Sequence, residues 1–84
     1  LNAMPNNFTN GDQKNRKWKL WVAYHPGSKA YKTIGRNKTY YNHEPDTEKN
    51  RKKLIKNCFL KKEDEIQVAI LYDNQTKKEL HRLK

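Results

Sequence analysis

Cysteine is almost missing from this chain. Cys58 stands alone among 84 residues, which excludes an internal disulfide and any multi-cysteine metal site. It is expected to serve as a small buried hydrophobe on a helix. Glycine numbers three, and the sequence has neither a glycine-rich phosphate loop nor a Walker lysine. Three glycines in so short a chain also leave little material for a deep small-molecule pocket. His25, His43 and His81 are too scattered for a metal signature. The carboxylates at Glu63, Asp64 and Glu65 sit in a polar connector and read as solvated. No nucleophile is paired with a plausible base. The reading is therefore a non-enzymatic protein with no cofactor, no metal and no small-molecule substrate.

Long hydrophobic runs are missing too. Nothing approaches the roughly 18 apolar residues that a membrane helix needs, and the mean hydropathy is −1.33. A soluble, cytoplasmic protein without membrane contact is expected. Leu1-Asn2-Ala3 ahead of Met4 reads as a cloning scar, and the Asn-rich residues up to 16 read as a disordered leader. Residues 17–84 are left to form one small domain.

Acidic residues are scarce, and here scarcity turns into a lead. Nine Asp and Glu face 19 Lys and Arg, a net charge of +10. Setting aside two bases and one acid of the leader (Lys14, Arg16, Asp12) leaves 17 against 8, so the charge belongs to the folded part. An anionic partner is implied, and nucleic acid is the commonest. Fifteen of the bases are lysine and only four arginine. Lysine is a hydrated point charge without the bidentate fork that reads guanine, so backbone contact should outweigh base readout. The competing source of charge is genome bias: Lys and Asn are both enriched in proteins from AT-rich genomes.

What is present is legible as alternating and helical pattern. KWKLWVAYH, from Lys17 to His25, alternates with period two: Trp18, Leu20, Val22 and Tyr24 share one face, and Lys19, Trp21, Ala23 and His25 the other. His25-Pro26-Gly27-Ser28 reads as a turn, and Lys29 to Ile34 as a second strand closing a hairpin. Thr39-Tyr40-Tyr41 is left open between a strand and a loop lying over the sheet. Asn42-His43-Glu44-Pro45-Asp46 announces a helix from about Pro45 to Phe59, with Leu54, Ile55, Cys58 and Phe59 as its apolar stripe. Glu65 to Asp73 reads as a central strand buried on both faces, with Gln67, Ala69 and Leu71 expected on the outward side. Asp73 to Thr76 makes a turn, and Lys78 to Leu83 pairs back as a last strand, a terminal helical turn being the alternative. The fold class is α+β, in the order β-β-α-β-β: an antiparallel sheet with one helix packed on one face.

A single helix covers one face only. The opposite face then presents Trp21 and Lys19, an aromatic beside a charge, as on the stacking platforms of single-strand binders. The competing expectation is that the Tyr40-Tyr41 segment or a dimer mate covers that patch. The helix supplies the other surface, since KNRKKLIK carries five cations in eight residues from Lys49 to Lys56. The candidate nucleic-acid contacts are Lys19, Trp21, Lys49, Lys52, Lys53 and Lys56. The alternative function is a protein-interaction or homodimeric assembly module whose basicity reflects genome composition.

Overall fold

The computed structural model describes residues 15–84; the expected leader lies outside that range except for Asn15 and Arg16. Four strands, β1 (Trp18–Tyr24), β2 (Asn37–Tyr41), β3 (Ile66–Asp73) and β4 (Glu79–Arg82), form one sheet in the order β2-β1-β3-β4, antiparallel at every pairing. A short helix α1 (Lys29–Thr33), a longer helix α2 (Glu48–Cys58) and a 3-10 segment (Leu60–Glu65) complete the chain. The fold is α+β, as the sequence predicts.

The alternation of β1 is realised as burial. Trp18, Leu20, Val22 and Tyr24 are all buried, and the residues between them are half-buried. Leu54 and Phe59 of the α2 region join that inner face in one core with Ala30, Ile66, Ala69 and Leu71, while Ile55 and Cys58 pack at its margin. The apolar stripe expected of the helix thus meets the purely apolar side of β1. The other side of the sheet is crossed by no helix among the described residues.

Two expectations fail, and both failures are local chemistry overriding pattern. Lys29 to Thr33 is a helix and not the second strand. Ala30 and Ile34 suit a period of two, but they also stand four apart, the helical spacing. Ser28 decides between them: its Oγ accepts the Tyr31 N–H at 3.0 Å, and the Glu65 carboxylate accepts the Ala30 N–H at 2.6 Å. Those caps satisfy donors that a helix start leaves unpaired. Gly35, at φ 133°, then ends the turn with its N–H on the Ala30 carbonyl. The second strand is β2, so Tyr40-Tyr41 is strand and no loop.

The second failure concerns β3. Ala23 pairs Val68 but Tyr24 pairs Ile66, so Gln67 is the extra residue of a bulge. Beyond the bulge the facing switches. Ala69 and Leu71, expected outward, pair Val22 and Leu20 and are fully buried in the core. Val68, Ile70 and Tyr72 take the outer face, opposite Ala23, Trp21 and Lys19. The last strand forms as expected, and Leu83 reaches the core beyond its end.

Candidate functional site

The outer sheet face is assembled by register. Lys19 lies between Tyr41 and Tyr72, and Trp21 between Thr39 and Ile70. Tyr40, one residue away, turns inward, where its hydroxyl meets that of Tyr24 at 2.8 Å. The expected covering of Trp21 by a Tyr40-Tyr41 loop is therefore not what the chain does. Trp21, Tyr41 and Tyr72 stay half-buried.

Lys19, Trp21, Thr39, Tyr72 and Lys77 line an open depression of about 370 Å³ on this face. The Lys19 ammonium stands 5.5 Å from the centre of the Tyr72 ring, within cation–π range. Lys77 comes from the β3–β4 connection and is held at two points. Its N–H donates to the Asp73 carbonyl at 2.7 Å, and its ammonium donates to Asn74 Oδ1 at 3.1 Å. Asn74 is itself buried, tied by its N–H to the Lys17 carbonyl and by its side-chain amide to the Arg16 carbonyl. Arg16 thereby belongs to the fold, although it falls within the expected leader. The Asp73 carboxylate shapes the same turn, accepting the Thr76 and Gln75 N–H groups, which hold its carboxyl below the usual range.

The α2 lysines form the second surface. At 100° per residue, Lys49, Lys52, Lys53 and Lys56 fall on one face of the helix, opposite Asn50, Leu54 and Cys58. All four are exposed, and none forms a salt bridge with a described residue. Arg51, the fifth cation of the run, is withdrawn from it by Glu48, whose carboxylate accepts from Nε at 2.7 and 2.8 Å. The six candidate contacts therefore divide. Lys19 and Trp21 are on the outer sheet face, and the four lysines are on the helix side facing away from the sheet.

Asn42 to Asp46 has a role that sequence reasoning misses. The helix is started by Thr47, whose hydroxyl accepts the Asn50 N–H. Asn42 and Asp46 instead clamp the beginning of β1. Buried Asn42 accepts the Trp18 N–H at 2.9 Å and donates to Asp46 at 2.8 Å, while Asp46 accepts the Lys17 N–H and pairs with Arg16. Burial pushes the Asp46 carboxyl up, but the Asn42 amide, the Lys17 N–H and Arg16 outweigh it and hold the carboxyl low. No sequence signal marks this role, because the backbone N–H groups that Asn42 and Asp46 hold are 24 and 29 residues away.

At Cys58, burial pushes the thiol up against the opposing pull of Lys38 and Lys62, the opposite of an activated nucleophile. No three His, Cys, Asp or Glu side chains gather as a metal site among the described residues. No described helix is long and apolar enough to cross a membrane. Comparison with known protein families, with curated proteins and with solved structures finds no match.

Proposed function

We propose that this is a non-enzymatic nucleic-acid-binding domain that grips the phosphate backbone with little base preference. The observation that carries the reading is the α2 stripe: four exposed lysines on one helical face, none spent on an acid of the fold. A stripe of one sign sets up a local field that draws in an anionic partner, which interspersed charges do not. Here the one arginine of the run is neutralised and the lysines are left available. Nucleic acid is met inside the cell, and the reading places the protein there.

The test is duplex DNA binding across a salt series, comparing the natural protein with Lys52→Glu/Lys53→Glu. Removing one lysine from a phosphate flattens the log–log salt slope by roughly 0.9. The double reversal should weaken binding steeply and flatten the slope by about 2. An unchanged slope would sink the helix surface. If neither duplex nor single strand binds at low salt, the assembly alternative takes over, and the oligomeric state becomes the property to measure.

A further inference from the structure

Resting on the nucleic-acid reading, we infer that the depression on the outer sheet face seats one unpaired nucleotide of a single strand, with its base on Trp21 and its phosphate between Lys19 and Lys77. Four features of the depression carry this. It pairs two aromatic walls, Trp21 and Tyr72, with two ammonium groups, and no carboxylate lines it. A ligand that matches must be flat, unsaturated and anionic within one small unit, which a nucleotide is. Its volume, the second feature, lies near the lower end of the roughly 300–1,000 Å³ of small-ligand sites.

The third feature is the conformation of Lys77. It sits at φ 66°, the left-handed region, which a glycine or asparagine occupies with less strain. A lysine there adds an ammonium that both satisfies Oδ1 of Asn74 and borders the depression. The buried Asn74 fixes that ammonium in place, so little side-chain freedom remains to be lost on binding.

The fourth feature points to single strands. In a duplex the base faces are stacked on one another, and only an unpaired base can lie on a side-chain ring. Thr39 is the one uncharged, non-aromatic polar side chain in the lining. Base edges are thus scarcely read, and the site should accept any base.

The experiment uses the full chain and three probes of equal length: a twelve-residue oligothymidylate, an abasic strand and a duplex. Oligothymidylate should bind several-fold tighter than the abasic strand and quench tryptophan emission. Trp21→Ala should weaken oligothymidylate by roughly 5- to 150-fold, the range of one base–aromatic stack, with duplex affinity unchanged. Trp21→Phe should recover most of the loss, and Lys77→Ala should weaken both single strands alike. Buried Trp18 reports by its own emission that Trp21→Ala is folded. Should that variant unfold, the contrast between oligothymidylate and abasic strand in the natural protein still decides.

Equal affinity for those two strands, with duplex binding intact, overturns this site and leaves the nucleic-acid reading standing. Failure of all three probes to bind at low salt removes both. A dimer in sedimentation that Lys19→Glu dissociates assigns the face to a second copy and overturns the nucleotide site.

Discussion

Single residues decide how this small domain responds to pH. Tyr24 is 1% exposed, and burial, followed by its hydrogen bond with the Tyr40 hydroxyl, pushes its ionisation well above the ordinary value. An unfolded chain releases the tyrosine proton near pH 10. The folded chain holds it to higher pH. That contribution to stability is complete below about pH 10 and is lost as pH rises toward the folded-state value. Urea midpoints of the natural protein should therefore fall more steeply above about pH 10 than those of Tyr24→Phe. Lysine deprotonation is common to both proteins and cancels. Parallel curves would mean that Tyr24 is not protected in solution. In the sequence, Asn42 and Asn74 look like loop residues of an Asn-rich chain. Each is only 3% exposed, because it hydrogen-bonds to backbone more than 20 residues away in sequence.

Among the elements, strand β1 and helix α2 are readable because each matches a period and buries the matching face. The α2 stripe Leu54, Ile55, Cys58 and Phe59 does pack inward, wholly or in part. What starts the helix is less readable. Thr47 is the cap, but its hydroxyl is 3.3 Å from the Asn50 N–H, a long bond. The cost of Thr47→Ala should then fall in the lower half of the usual 0.5–2 kcal/mol range, about 0.5–1 kcal/mol. For a domain of this size that lowers Tm by about 2–8 °C, with Thr47→Ser restoring it. Thermal unfolding followed by circular dichroism measures it, and no change in Tm would remove Thr47 as the cap. Lys29 to Ile34 misleads because six residues with two apolar positions four apart fit both periods. The carboxylate that settles the matter, Glu65, is 35 residues away from the N–H it caps.

Over the whole molecule, the two basic surfaces lie on opposite sides of a layered fold. Helix α2, about 10–12 Å across, and the sheet stand between them. That exceeds the ~8 Å screening length of physiological salt, so occupation of one surface should leave the other nearly unaffected. Excess unlabelled thymidine monophosphate, which fills the depression without spanning the α2 lysines, should not displace a labelled short duplex at about 0.15 M salt, as read by anisotropy. One-for-one displacement would show a single shared site and would contradict the division of the six candidate residues into two groups.

The chain's own sequence determined the α+β class, the inner face of β1, the burial of the α2 stripe and the exposure of its lysines. Each follows from a repeat of two or 3.6 residues and from the free energy of burying apolar side chains, which any neighbouring core enforces. Tertiary structure alone decided which face β3 presents, because one bulged residue, Gln67, reverses a period-two pattern for everything that follows it. It also decided that Tyr72 and Lys77 join Lys19 and Trp21 around one depression. Those four come from two strands and a turn, and cross-strand register is set by packing against the rest of the fold.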